Sequence, residues 1–293
     1  MAGQLKEVRN RIKSVQSTQQ ITKAMKMVSA AKLRRAQDAI IQMRPYAKKL
    51  QEMLSNIVSN AEGGSGMNLA VERPVEKVLF ITITSDRGLC GAYNSNLIKL
   101  TKATIAEKYP EQFKKGNVTI WSIGKKGFEH FQKNKFNALD TYKDIFLHLS
   151  FENVQAAAQA AMKAFEEKQF DVVELVYSQF KNAATQRFEL ERFLPIPKVQ
   201  KKAGATKADF IYDPSKDQLI NELMPKILNT QLYKAVLDAN ASEHGARMTA
   251  MDKASENANE LLRALRISYN RARQAAITTE LTEIVSGAAA LQG

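Results

Sequence analysis

The chain has 293 residues, 44% of them hydrophobic and 25% charged, the proportions of a soluble globular protein with room for one large domain or two smaller ones. A single cysteine, Cys90, excludes an internal disulfide and a cysteine-clustered metal site, and the three histidines (His130, His148, His244) share no ligand spacing. The formal net charge of +13 sits mostly at one end: residues 1–50 hold twelve basic residues against Glu7 and Asp38, a local surplus of +10.

From Gln4 to Arg44 there is no glycine or proline, and the same holds from Ala246 to Ser286; each stretch is 41 residues. As helices they would be rods of roughly 60 Å, too long to bury an apolar stripe within one small domain. In the first, Leu5, Val8, Ile12 and Val15 fall at coiled-coil spacing, and Leu33, Ala36, Ile40, Met43, Ala47, Leu50, Leu54 and Ile57 resume it. Between the two runs the apolar stripe moves through Ile21, Met25 and Val28, which reads as a break in register. Pro45 costs about 3 kcal/mol inside a helix and predicts a kink or a new segment. The start of the chain is basic and amphipathic like a transit peptide, but the pattern runs on without a cleavage-like break and reads as mature structure. No apolar signal core precedes it and no run approaches a membrane-spanning length, so a reducing cytoplasmic setting is expected.

Gly63-Gly64-Ser65-Gly66 ends this first helical region, and β-branched sequence follows. Val78–Thr84 reads as a buried strand. The turn SDRGLCGAYN leads to a helix near Asn94–Tyr109, with Asn94 or Ser95 expected to cap it. A strand at Val118–Ile123, a helix after Gly124, a helix over Asn153–Lys168, a strand at Asp171–Phe180 and its hairpin partner Arg187–Leu194 complete a mostly parallel sheet flanked by helices. Pro195 and Pro197 open a basic loop at Lys198–Lys207, Phe210–Tyr212 reads as a further short strand, and a long helix begins after Pro214. In that helix Ala258, Leu262, Leu265 and Ala272, then Ile277, Leu281, Ile284, Ala288 and Leu291, form the expected seam. The fold class is therefore mixed α/β: a long antiparallel coiled coil of N- and C-terminal helices (1–62 and 214–293) with an inserted Rossmann-like α/β domain (75–213).

The motif Ser85-Asp86-Arg87-Gly88-Leu89-Cys90-Gly91 lies between a strand and a helix, where phosphates bind, but it fits neither G-x-G-x-x-G nor G-x-x-x-x-G-K-[ST]. It reads as a tight turn. Cys90 has no histidine near it in sequence and reads as a small buried hydrophobe, and no pair of carboxylates stands out for acid–base work. No catalytic residue, metal site or cofactor site is expected. The basic N-terminal helix has only Tyr46 as an aromatic, which leaves no platform for stacking nucleic-acid bases, and it lacks Trp or Phe anchors for a bilayer. An acidic protein surface is the most economical partner. A nucleotide-dependent enzyme, or a basic coiled-coil protein binding nucleic acid or another acidic partner, is the alternative.

Segments at both ends and in the centre of the chain carry a resemblance. Ile277-Thr-Thr-Glu280-Leu-Thr-Glu283-Ile-Val-Ser-Gly287-Ala288-Ala-Ala290, with Ala246-Arg-Met-Thr-Ala-Met251 and Tyr269-Asn-Arg-Ala-Arg-Gln274-Ala before it, resembles the C-terminal signature of the gamma subunit of bacterial F-type rotary ATP synthases. Val15-Gln-Ser-Thr-Gln-Gln-Ile-Thr-Lys-Ala-Met25-Lys-Met-Val28 and the central TSDRGLCGAYN are similar to the same family, in the same order. The resemblance implies a non-catalytic rotor: a coiled coil turning inside a ring of alpha and beta subunits, standing on the membrane c-ring beside the epsilon subunit. It would couple ion flow to ATP synthesis in the beta subunits, as a peripheral protein on the cytoplasmic face of the cell membrane. It further implies that Arg273 and Gln274 contact a beta-subunit loop with Thr278 and Glu280 nearby, and that Met25 and Lys26 face the beta C-terminal acidic segment. Arg87, Cys90, Lys99 and Lys102 would meet that segment from below, and Tyr212 and Asp213 would lie at the foot near the ring and epsilon. Neither nucleic acid nor direct membrane insertion is implied.

Overall fold

A computed structural model describes residues 2–60, 68–183, 185–196 and 216–292. The expected glycine-rich break at 63–66, the basic loop at 198–207, the short strand at 210–212 and the residues Tyr212 and Asp213 lie outside the described residues. The described chain runs α1 (Ala2–Asn60), β1 (Val78–Ile83), α2 (Tyr93–Lys108), α3 (Pro110–Lys114), β2 (Val118–Ile123), α4 (Lys125–Lys133), β3 (Asn137–Leu139), α5 (Phe151–Glu166), β4 (Val172–Phe180), β5 (Gln186–Leu194) and α6 (Lys216–Gln292). Two compact units emerge, one made of the residues up to Ser29 with those from Met248 onward, the other of Ala30–Arg247.

The larger unit is built on a five-stranded sheet in the order β3-β2-β1-β4-β5, parallel except for β5, which pairs antiparallel with β4. Every residue of β1 and of β2 is buried, as their uninterrupted runs of β-branched and apolar side chains require in a sheet covered on both faces. On one face Leu79, Ile81, Ile83 and Leu175 pack with Val154, Ala158, Ala161 and Phe165 of α5 and with Met224, Leu228, Leu232, Ala235 and Ala239 of α6. On the other, Val78, Phe80, Ile120 and Val176 pack with Tyr93, Leu97, Ile98 and Ile105 of α2 and with Phe131 of α4. The first half of α6 is thus a core helix of the α/β body. At Gly124 the chain turns with φ +100° so close to β1 that an added Cβ would lie 2.3 Å from the carbonyl oxygen of Thr84, which demands glycine there.

Pro45 neither ends nor restarts a helix: α1 continues through it to Asn60. The carbonyl of Ile41, which loses its donor, belongs to a residue 62% exposed, so water can take that acceptor. α6 likewise runs through Pro225.

In the smaller unit α1 and α6 pair antiparallel, with Arg9 Nη2 donating to Tyr269 Oη at 2.9 Å, Thr22 and Ser255 sharing a hydroxyl hydrogen bond of 2.7 Å, and Lys26 Nζ donating to Asp252 Oδ1 at 2.6 Å. The register of α1 is not broken. Leu5, Val8, Ile12, Val15, Gln19, Thr22, Lys26, Ser29, Leu33, Ala36 and Ile40 keep alternating intervals of four and three, and all are buried or half-buried. Of the apparent stripe through Ile21, Met25 and Val28, Ile21 and Val28 are 57% exposed and Met25 is half-buried beside the seam. The seam of α6 follows Met251, Ser255, Ala258, Leu262, Leu265, Tyr269, Ala272, Ala276 and Thr279. It does not continue through Ile277, Leu281, Ile284, Ala288 and Leu291, which are all exposed. The three cross-helix contacts place the start of α1 opposite the turn around Ala276, so beyond it α6 has no partner helix to cover an apolar stripe.

Candidate functional site

Three surfaces hold the residues singled out by the sequence. The first is the end of α6. Arg273, Gln274, Thr278 and Glu280 are all exposed, and Thr278 donates its hydroxyl to the Gln274 carbonyl at 3.0 Å. Arg273 makes no hydrogen bond or ion pair among the described residues, so its fork of donors is open to a partner. Beside it run the exposed side chains of Ile277 (46%), Leu281 (57%), Ile284 (67%) and Val285 (66%), on the face turned away from the seam. A contiguous apolar strip of this kind marks a contact surface.

The second surface is the coil at Met25 and Lys26. Both are half-buried, and the Lys26 ammonium is engaged by Asp252 across the helix pair, an interaction that the one-dimensional pattern could not show.

The third is the turn after β1. Asn94 does not cap α2, whose N-cap is Ala92, without a side-chain hydrogen bond. It reaches back instead: the Ser85 amide donates to Asn94 Oδ1 at 3.0 Å, and Asn94 Nδ2 donates to Ser85 Oγ at 2.7 Å and to Cys90 Sγ at 3.3 Å. Ser95 donates to the Ala92 carbonyl and caps nothing. Cys90 is 2% exposed, so its side chain fills the turn from inside, while Arg87 and Leu89 face solvent. Asp86 accepts from the Lys125 amide at 3.2 Å; burial, the larger influence, raises its pKa against that hydrogen bond. Lys99 and Lys102 stand exposed one turn apart on α2.

Arg247 lies within the Ala246–Met251 segment that carries the resemblance, but sequence reasoning gives it no role. It lies 8% exposed on α6, donates to the carbonyls of Arg87 at 2.8 Å and Gly88 at 3.2 Å, and pairs with Glu243 one turn before it. This has a chemical consequence. The strand order reverses between β1 and β4, and the crevice at the carboxyl ends of such strands is where a doubly wound sheet receives ligands. At this switch point the guanidinium of Arg247 occupies the acceptors that the Arg87 and Gly88 carbonyls present, and so ties the turn to α6. Next to it His244, 9% exposed, is held down at a pKa of about 4 by burial and by Lys32, so it is uncharged at neutral pH. Among the described residues no group of histidine, cysteine and carboxylate side chains is arranged to hold a metal ion, and no helix is long and apolar enough to cross a membrane.

A family model described as ATP synthase matches residues 4–291. The ATP synthase gamma chain of Cytophaga hutchinsonii is 52% identical over 290 residues, covering 98% of each chain, and that of Flavobacterium johnsoniae is 51% identical over 99% of each. Among solved structures, a chain of the Euglena gracilis mitochondrial ATP synthase (OSCP/F1/c-ring, rotational state 3) superposes with a TM-score of 0.67 at 21% identity, over 99% of this chain and 95% of that one. A rotor chain from the same organism superposes with a TM-score of 0.64.

Proposed function

The chain belongs to the ATP synthase gamma-chain family, and from that premise we propose how its surfaces serve the central rotor stalk of an F-type ATP synthase. A gamma chain is a non-catalytic subunit: it couples ion translocation through the membrane ring to ATP synthesis and hydrolysis elsewhere in the complex. The alternative of a nucleic-acid-binding coil has no support among the relatives.

One observation carries the reading of the surfaces. Beyond Ala276 the last turns of α6 stand without a partner helix and display Ile277, Leu281, Ile284, Val285 and Leu291 to solvent. A strip like this is retained because another body covers it in the assembly. We assign that body to the ring of alpha and beta subunits. Arg273 and Gln274, with Thr278 and Glu280, grip a beta-subunit loop; Met25 and Lys26 face the beta acidic segment, and Arg87, Lys99 and Lys102 meet it from the α/β body. Cys90 contributes by packing the turn that presents Arg87. We assign contact with the epsilon subunit and the c-ring to Tyr212 and Asp213, on the resemblance alone. The whole stands on the cytoplasmic face of the cell membrane without inserting into it.

The mechanism then follows from asymmetry. One rod cannot present the same side chains to several identical catalytic subunits at once. Each orientation therefore has a different contact free energy with their open and closed forms, and turning the rod shifts those populations in sequence. Recovery through a tag on this chain from native membranes should bring the head and ring subunits with it, while the isolated chain turns over no ATP. Recovery of the chain with nucleic acid and without those subunits would overturn the assignment.

A further inference from the structure

The cationic surface begun by Lys99 and Lys102 continues where α2 packs against α4. Lys99 and Lys102 occupy the exposed face of α2, and Lys133 is exposed in the last turn of α4. One turn before Lys133, His130 has its Nε2 buried and without a hydrogen-bond partner. Burial first, then Lys102 and Lys133, lower its pKa below the ordinary histidine value, so ammonium groups from both helices flank one uncharged ring. Three other lysines on and near α4 are neutralised: Lys125 by Asp144 at 3.1 Å, Lys126 by Glu129 at 2.6 Å and Lys143 by Asp140 at 2.8 Å. Lys99, Lys102 and Lys133 have no carboxylate partner among the described residues. Like charges held side by side raise the energy of the free chain, and a docked anion relieves it.

The chemistry of the occupant follows from what surrounds the lysines. α2 presents Ala103 and Ala106 beside them, both exposed, rather than an aromatic ring for a nucleobase or a long apolar anchor for a bilayer. No arginine fork converges there for a single phosphate, and the three ammonium groups are spread over two helices, which suits carboxylates distributed along a peptide. We propose that the α2–α4 face bearing Lys99, Lys102 and Lys133 is a docking surface for a carboxylate-rich segment of a neighbouring subunit, with α4 forming its second wall through Lys133. This rests on the reading that Lys99 and Lys102 meet an acidic segment, and it extends that contact to a helix that no sequence motif indicated.

The test is carbodiimide coupling of the assembled complex, which joins lysine amines to carboxylates in contact, followed by mapping of the linked peptides. Lys133 should be linked to aspartate or glutamate of a neighbouring subunit alongside Lys99 or Lys102. Lys133→Glu should lower the yield at Lys99 and Lys102 by about fivefold, the effect of one exposed ion pair and one added repulsion, whereas Lys163→Glu on α5 leaves it unchanged. Links at Lys99 and Lys102 with none at Lys133 would remove the second wall and leave the α2 contact standing. Absence of links at all three would remove both. Retention of the free chain on phosphatidylglycerol vesicles that Lys133→Glu abolishes, with no links in the complex, would assign the surface to lipid and overturn the proposal.

Discussion

Asp238 on α6 is 3% exposed, and burial, the largest influence, pushes its carboxyl up to about 6 against the pull of Lys234, of Arg44 and of the Phe180 amide; Glu191 pushes in the same direction as burial. The fold therefore favours the protonated form. Relative to an unfolded carboxyl near 4, this group's contribution is intact below pH 4 and is lost as pH rises to about 6, a penalty of about 2–3 kcal/mol that stays constant above. Asp238→Asn keeps an acceptor for the Phe180 amide and cannot ionise. Urea unfolding of the free chain should show the variant more stable at pH 8 and matched to the parent at pH 4; equal midpoints at pH 8 would mean the carboxylate is fully compensated. Arg247 poses the opposite case, a charge whose removal strands others. Arg247→Ala leaves Glu243 and the carbonyls of Arg87 and Gly88 without their donor, and should cost about 3–5 kcal/mol in the same assay. Arg247→Lys should fall between, because one ammonium cannot replace a planar fork. A midpoint unchanged by the alanine would show that water serves those carbonyls equally well.

At the scale of the element, α6 is three different helices in sequence: a core helix against the sheet up to Ala239, a coiled-coil strand from Met251 to Thr279, and an uncovered end. Leu262 is 4% exposed and Ile284 67%, although both sit in apolar runs of the same spacing. Leu262→Asp should therefore destabilise the free chain by several kcal/mol, since it buries an unpaired charge. Ile284→Asp should leave thermal unfolding of the free chain unchanged and weaken incorporation into the complex. Equal effects of the two on the free chain would contradict the register. In α1 the middle of the seam is polar: Thr22 meets Ser255 and Lys26 meets Asp252. Apolar periodicity fades there for that reason, and the eye moves to Ile21 and Val28, whose side chains point to solvent.

For the whole molecule, coupling requires side chains that a partner feels in some orientations and not in others. Arg273 and Gln274 are exposed and outside every packed seam, so replacing both with alanine should leave the free chain folded. In the assembled enzyme the same pair should depress ATP synthesis more than alanine at Lys163 and Glu167, an exposed ion pair at the end of α5 at 3.8 Å. Synthesis at parental rates by the fully assembled double variant would mean that this contact carries little of the coupling free energy.

What the sequence determined by itself were the features that depend on neighbours along the chain. The strands at 78–83, 118–123 and 172–180 and the hairpin return at 186–194 were legible because buried β-branched runs allow few other solutions, and the long terminal helices because no glycine or proline interrupts 4–44 or 246–286, although α1 and α6 also run through Pro45 and Pro225. The short β3 and α3 were missed, being too brief to set a period. Tertiary structure decided everything that required a second helix or a distant group. Whether an apolar stripe is seam or surface depends on whether α1 reaches it, and it does not reach Ile277–Leu291. Lys26 meets Asp252 from a position 226 residues away in the chain. Arg247, 159 residues from Gly88, ties down the β1–α2 turn. Periodicity records which side of a helix is apolar; only the packed neighbour determines whether water is excluded from that side.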